Sequence, residues 1–197
     1  DVVRDWSYDR PGSAFAPYDD AFEPISLDVS APWARRMWPC RSTTRSVVGF
    51  AGDEESAERS KWWTWYRWIP QRYRTSLTIT YAEVATHNHF VLDRGGVVFK
   101  QTAPVIKLPA GTDEVTHLGL LGLLNSSVAC FWLKQVAHNK GSTVDQAGAR
   151  QRAAPFEDFY QYNGTKVGAF PVTSERPTAF ATAVDGIARE RQSHLPS

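Results

Sequence analysis

The chain is poor in the residues that build covalent or metal-held frameworks. It has only two cysteines, Cys40 and Cys130, in 197 residues. Two cysteines alone cannot make a metal site, and a disulfide-stapled scaffold needs more. Cys130 sits in an apolar helical pattern and reads as a buried thiol. No apolar run approaches the ~18 residues of a membrane span, and no secretory pattern opens the chain. A reducing, cytoplasmic setting without a membrane partner is the expectation. The only methionine is Met37 and the first residue is Asp1, so the stretch reads as a segment of a longer polypeptide.

Catalytic signatures are equally scarce. There is no Gly-x-Ser-x-Gly elbow, no phosphate-binding P-loop and no Gly-x-Gly-x-x-Gly turn. The carboxylates concentrate in residues 1–58 among loop-forming residues, with no evident acid/base pair. Transfer of a methyl group to an adenine amine would need an Asn/Asp-Pro-Pro-aromatic loop around the flipped base, and no such string occurs. It would also need a glycine-rich turn for the methyl donor. Phe50-Ala51-Gly52-Asp53-Glu54 is a poor match, because acids crowd the place of close backbone approach. Cofactor binding is therefore expected outside this stretch.

Charge is present but unevenly spread. Residues 1–58 carry 11 acids and 6 bases, net −5, whereas residues 59–197 carry 16 bases and 10 acids, net +6. Between Arg59 and Ala82 lie Arg59, Lys61, Arg67, Arg72 and Arg74 and no acid. Such an excess suits a polyanion, and it suits equally a solvated strand face.

Periodicity predicts a mixed chain. Residues 1–45 read as an irregular connector that packs its tryptophans, and Asp53 to Glu58 as an acidic turn. Lys61 to Ile69 is aromatic and reads as a strand, as does Ser76 to Tyr81 with its polar/apolar alternation. Phe90–Leu92 and Val97–Phe99 flank Asp93-Arg94-Gly95-Gly96, which predicts a hairpin. Ala103 to Leu108 is a further strand closed by Pro109. Thr112 or Asp113 caps a helix with Leu118, Leu121 and Leu124 on its buried face. Asn125 ends that helix and Ser126 caps a second, with Val128, Phe131 and Trp132 toward the core. A polar loop spans Asn139 to Arg152, a short strand ends at Phe170-Pro171-Val172, and Ser174 caps a final helix from about Arg176 to His194.

His87-Asn88-His89 puts two imidazoles on one face of a strand. A metal pair would need further ligands, and only Asp93 is near in sequence. The letters also spell the name of a nuclease motif, but that motif is spread over a ββα unit and is not a tripeptide. We read the histidines as polar residues at a strand start, making hydrogen bonds or touching DNA.

Several strings resemble one family. Ala85 to Gly96, ATHNHFVLDRGG, and Phe99 to Pro109, FKQTAPVIKLP, are similar to the C-terminal target-recognition region of the adenine-specific DNA methyltransferases of BREX type 2 (phage growth limitation) systems. Val3-Arg4-Asp5-Trp6, Met37-Trp38-Pro39-Cys40-Arg41, Trp63 to Trp68, and Asn163 to Lys166 with Phe170-Pro171 resemble further segments of it, although Cys40 stands where that family has an aromatic. Leu120 to Gln135, LLGLLNSSVACFWLKQ, is shared more loosely with specificity domains of type IIG and type I restriction enzymes.

The resemblance implies an α/β, target-recognition-domain-like fold: a mostly antiparallel central sheet, a helix pair after it and a C-terminal helix. It divides the chain into an acidic connector (1–58), a DNA target-recognition domain (59–172) and a C-terminal helix (173–197). It implies sequence-specific recognition of double-stranded DNA for N6-adenine methylation. Catalysis and S-adenosylmethionine would belong to an upstream methyltransferase domain, and other defence-system subunits would be further partners. Under that reading Lys61, Arg67, Arg72, Arg74, Lys100 and Lys140 pair phosphates. Arg94, Gln101, Asn139 and Gln146 are the candidates for reading base edges. Each is otherwise an ordinary surface polar residue. The rival reading is a protein-interaction module that docks a partner through the aromatic-rich face, since the chain has eight tryptophans.

The missing base-holding loop and glycine-rich turn predict that the purified 197-residue chain neither methylates nor cleaves DNA. Labelled methyl transfer from S-adenosylmethionine to DNA by this chain alone would refute that.

Overall fold

The computed structural model describes residues 3–4, 6–9, 12–46, 61–65, 69–140 and 159–194. The chain divides into two compact units, residues 1–12 with 75–197, and residues 13–74. The larger unit opens with an antiparallel pair, β1 (Val3–Arg4) and β2 (Ser7–Tyr8). The smaller unit holds α1 (Pro32–Met37), a 3₁₀ turn at Trp38–Cys40 and α2 (Arg41–Arg45). The sequence expectation of an irregular connector through residue 45 is thus corrected. Pro32 falls in the first turn of α1, where its missing N–H costs nothing.

The strand expected at Lys61 to Ile69 is a turn over its described residues, with Thr64 N–H donating to Lys61 O at 3.1 Å. Adjacent Trp62 and Trp63 are both buried, whereas a half-buried strand would send them to opposite faces. Trp63 donates its indole N–H to Ile25 O at 3.0 Å and Trp65 donates to Phe15 O at 2.8 Å. The acidic turn expected at Asp53 to Glu58 lies outside the described residues.

The larger unit is built around β3 (Thr78–Tyr81), flanked by β5 (Phe90–Asp93) and β6 (Val105–Ile106), while β4 (Val84–Ala85) joins a separate sheet. The sheet order is β5-β3-β6, all antiparallel, with Thr78 opposite Asp93 and Ile79 opposite Ile106. Alternation sorts the side chains. Ile79, Tyr81, Phe90 and Leu92 join the main core, while Val91 packs with Val3 and Tyr8. On that second face the Tyr8 hydroxyl donates to buried Asp93 at 2.8 Å. The glycines after β5 take positive φ, +99° at Gly95 and +79° at Gly96, as the turn requires. The hairpin expected from it does not form. Val97 and Phe99 pack beside Tyr8 instead, the Phe99 ring edge-on to it at 5.6 Å. The chain returns to β3 only at β6, which is shorter than the strand expected over Ala103 to Leu108.

After Pro109 come α3 (Glu114–Leu124) and α4 (Ser127–Val136), bent from one another by 62°. Asp113 caps α3, its carboxylate accepting from Thr116 N–H at 2.8 Å. That bond holds its carboxyl below the usual range. Ser126 caps α4 by accepting from Ala129 N–H at 3.1 Å. Leu118, Leu121 and Leu124 are buried as expected. In α4 the buried face is Ala129 and Leu133, with Trp132 half-buried against Phe170. Val128 and Phe131 do not face the core but stand 69% and 70% exposed, because they lie off the stripe that Ala129, Trp132 and Leu133 set at i, i+3, i+4. Cys130 is half-buried, less enclosed than the sequence suggested.

The break between the helices also closes the sheet. Asn125 ends α3 at φ −87°, ψ 2°. Its amide pairs both backbone groups of Phe90, accepting from Phe90 N–H at 2.9 Å and donating to Phe90 O at 2.8 Å. One side chain thereby stands in for a neighbouring strand at the free edge of β5. In return Asn88 donates to Leu124 O at 2.6 Å, satisfying a helix-end carbonyl that has no intrahelical donor.

A second small sheet follows. Strand β7 (His138–Asn139) leaves α4 after Ala137, and β8 (Tyr160–Gln161) lies between it and β4, both pairings antiparallel. The strand expected to end at Phe170-Pro171-Val172 is replaced by a short helix, α5 (Gly164–Gly168), capped by Asn163 accepting from Lys166 N–H at 3.0 Å. The last helix, α6, spans Thr178–Ser193. Ser174 does not cap it. Pro177 disfavours helical geometry at Arg176, and the helix starts from the Pro177 carbonyl, which accepts from Ala181 N–H at 2.9 Å. No described helix is by itself long and apolar enough to cross a membrane.

Helices α3 and α6 touch through glycine. A Cβ on Gly122 would lie 2.8 Å from the Ala181 methyl and 3.0 Å from Pro177 Cγ, whereas one on Gly186 would meet nothing within 4 Å. Two results are expected in urea melts. Gly186→Ala should stabilise the fold by up to ~1 kcal/mol through helix propensity, while Gly122→Ala should destabilise it by roughly 1–2 kcal/mol because overpacking outweighs that gain. Asn125→Ala, which strands both Phe90 backbone groups, should cost roughly 2–4 kcal/mol. Equal effects at the two glycines would contradict the close packing.

Candidate nucleic-acid interface

The outer edge of the second sheet gathers polar and basic groups. Asn139 stands opposite Tyr160, and Lys140 N–H extends the ladder by donating to Phe159 O at 2.7 Å. His138, Asn139 and Lys140 are all exposed. The Lys134 ammonium lies over the Tyr160 ring, 5.4 Å from its centre. Helix α4 therefore brings one lysine to the same edge that its exit strand supplies with another.

A second exposed polar pair, Lys100 and Gln101, sits in a turn closed by Ala103 N–H donating to Lys100 O at 2.9 Å. Glu83 ties this turn to the small sheet. Its N–H donates to Thr102 O at 3.1 Å and its carbonyl accepts from Tyr162 N–H at 2.7 Å. Its carboxylate accepts from the Gln161 amide at 2.8 Å. Lys100, Gln101, Asn139 and Lys140 are thus carried on one hydrogen-bonded scaffold within the larger unit.

Arg94 has another commitment. It donates through Nε and Nη2 to Glu114 at 3.0 and 2.6 Å, and through Nη2 and Nη1 to Asp185 at 2.6 and 3.4 Å. Burial pulls its pKa down, but the hydrogen bonds and charges of Asp185 and Glu114 outweigh that and hold it above the ordinary value. Asp185 is only 5% exposed, so this guanidinium is its neutralising partner. Reading a base would require Arg94 to abandon a buried carboxylate, at a cost of several kcal/mol. Arg94 therefore acts as a joint between the turn after β5, the start of α3 and the middle of α6.

Among the phosphate candidates of the smaller unit, Lys61, Arg72 and Arg74 are exposed. Arg72 belongs to a single 3₁₀ turn, Pro70–Arg72, and Arg74 lies 5.8 Å from the centre of the Phe22 ring. Arg59, Arg67 and Gln146 lie outside the described residues, as does most of the loop expected after Asn139.

The His87 and His89 rings stand 4.2 Å apart, tilted by 50°. The His87 Nδ1 is 2.9 Å from the Thr86 hydroxyl, and His89 is buried. Among the described residues no group of three or more His, Cys, Asp or Glu is placed to hold a metal ion. Two phenols nearby are shifted. Burial first, then the Glu83 carboxylate, pushes Tyr81 up to about 12. Burial, with smaller contributions from Cys130 and Tyr160, raises Tyr162 as well. Both stay neutral at physiological pH, and the Tyr162 hydroxyl has no hydrogen-bond partner among the described residues. The residues that sequence reasoning passed over are Asn88 and Lys134. An asparagine between two histidines, and a lysine one helical turn before the strand, carry no signal until the fold sets them in place.

No protein-family model matches the chain. It is 40% identical over 198 aligned positions, its whole length, to the adenine-specific methyltransferase PglX of Streptomyces coelicolor, of which it spans 16%. The resemblance read from the recognition-region strings is met at that level: the chain is similar throughout to part of an adenine-specific methyltransferase.

Proposed function

We propose that this chain is the DNA target-recognition part of an adenine-specific methyltransferase acting in a BREX-type phage-defence system. The observation that carries the proposal is the 40% identity along the entire chain to a methyltransferase of which it spans only 16%. The chain itself has neither the base-holding loop nor the glycine-rich turn of such an enzyme, so recognition is the task left to it. S-adenosylmethionine would be held by a methyltransferase domain outside this stretch. The division into a connector (1–58), a recognition domain (59–172) and a C-terminal helix (173–197) belongs to the same proposal, as does a cytoplasmic location with double-stranded DNA as partner.

Within that reading Lys61, Arg72, Arg74, Lys100 and Lys140 meet phosphates, and Arg67 joins them on its sequence position alone. Gln101 and Asn139 are the base readers that the fold leaves exposed. Amide side chains suit the paired acceptor and donor of adenine in the major groove. Gln146 remains a reader by sequence alone, and Arg94 leaves the set because it neutralises Asp185.

A second reading has its own support. Besides Val128 and Phe131 on α4, Phe180 and Ile187 on α6 are exposed. Such apolar side chains suit a protein partner, whether the upstream domain or another defence-system subunit.

Salt separates the two. Each phosphate contact contributes about 0.9 to the log–log slope of DNA affinity against salt. Replacing Arg72 and Arg74 with Ala should flatten the slope by up to ~1.8 on every sequence, while Gln101→Ala should cost roughly 1–3 kcal/mol on the cognate site only. An unchanged slope in the double variant, with binding to a protein partner lost in Phe131→Asp, would favour docking over DNA recognition.

A further inference from the structure

Residues 13–74 carry 9 bases and 8 acids, and the two signs are segregated along the chain. Between Asp28 and Asp53 there is no acid, and four arginines fall there: Arg35, Arg36, Arg41 and Arg45. All four lie on the helical run formed by α1, the 3₁₀ turn and α2. Arg35 is occupied, donating to Ser30 O at 3.1 and 2.6 Å beside the Asp28 carboxylate. Arg36, Arg41 and Arg45 are exposed, and no described carboxylate pairs with any of them.

Aromatic rings back the middle of this run. Trp38 lies edge-on to buried Trp62 at 5.8 Å, and Trp62 edge-on to buried Trp63 at 6.0 Å. The outer indole, 40% exposed, carries the Arg41 guanidinium 4.6 Å from its ring centre. A guanidinium lying on an aromatic face keeps its N–H fork directed outward and loses little freedom when it meets an anion. Because Arg41 already covers Trp38, the indole serves this surface by positioning a cation and is poorly placed to stack a base. The chemistry therefore favours phosphate oxygens over nucleobases.

We infer that Arg36, Arg41 and Arg45, with Arg41 set by Trp38, form a sequence-independent contact to the DNA phosphate backbone. This rests on the DNA reading above and adds to it a surface outside the 59–74 basic segment. Trp38 is a positioning residue; the three arginines touch the anion.

The test is a salt titration of duplex binding by the 197-residue chain, on specific and unrelated sequences, with each variant checked by circular dichroism. Joint Arg→Ala substitution at 36, 41 and 45 should flatten the log–log slope by up to ~2.7 and weaken binding on the order of 10²-fold near 0.1 M salt, equally on both sequences. The corresponding Arg→Lys variant, which keeps the charges, should keep the slope. Trp38→Ala should lower affinity several-fold at unchanged slope, and Trp38→Phe should restore most of it. A triple Ala variant with wild-type slope and affinity, beside an Arg72/Arg74 variant that does flatten, would overturn this inference and leave the DNA reading intact. Absence of salt-dependent DNA binding in the unsubstituted chain would overturn both. Binding of poly-glutamate in preference to duplex DNA, lost in the triple variant, would reassign the surface to an acidic protein partner.

Discussion

Two asparagines hold the larger unit together where its layers meet. A strand that ends a sheet exposes backbone groups that need partners, and a helix that stops inside a core exposes carbonyls that need donors. Asn125 answers the first need by pairing both backbone groups of Phe90, and Asn88 answers the second by donating to Leu124 O. The exchange fixes the residue at which α3 stops and therefore the 62° change in direction from which α4 departs. Helix α4 in turn delivers Lys134 and, through Ala137, the edge strand carrying Asn139 and Lys140. The geometry of the candidate interface thus descends from a hydrogen-bond exchange remote from it.

The other charged and close-packed joints work in the same direction. Arg94 neutralises Asp185 and braces Glu114, tying α6 to the start of α3. Gly119 and Gly122 let α6 approach so near that a methyl group on α3 would collide. With α6 against its back, α3 presents Leu118, Leu121 and Leu124 to the sheet. Glu83 completes the frame by joining the Lys100–Gln101 turn to β8. A reading surface needs such stiffness, because bidentate contacts to base edges are lost with small displacements.

In the proposed function the exposed base readers and the phosphate-pairing arginines fall in different units. The larger carries exposed amides, Gln101 and Asn139, whose paired donor and acceptor can distinguish bases. The smaller carries guanidiniums beside aromatic rings, as in Arg41 on Trp38 and Arg74 near Phe22. Those groups attract any phosphate and distinguish none. Under the proposed function, long-range attraction of DNA and short-range readout of a site would draw on different residues, so each could vary without disabling the other.

Local features were legible in the sequence because local rules decide them. Asp113 and Ser126 cap helices for reasons contained in three or four residues, and Leu118, Leu121 and Leu124 mark a buried face by spacing alone. Gly95-Gly96 turn the chain through positive φ, and β3 shows its alternation in Ser76 to Tyr81. Partner choice over distance was not legible. Val97 to Phe99 had the composition of a hairpin strand, yet Tyr8, far away in the chain, took Phe99 and left the edge of β5 to an asparagine. The aromatic run after Lys61 suited a strand until burial of both Trp62 and Trp63 required a turn. Arg94 looked like a base reader because its sequence neighbours are a turn and a strand, and only the arrival of α6 gave it a buried carboxylate to neutralise. Sequence by itself determined where α3 and α4 begin, where the glycine pair turns the chain and which leucines of α3 seek the interior. Tertiary structure alone decided which strands pair, which arginine is spent inside and which polar groups remain at the surface, because those outcomes depend on segments that meet only after folding.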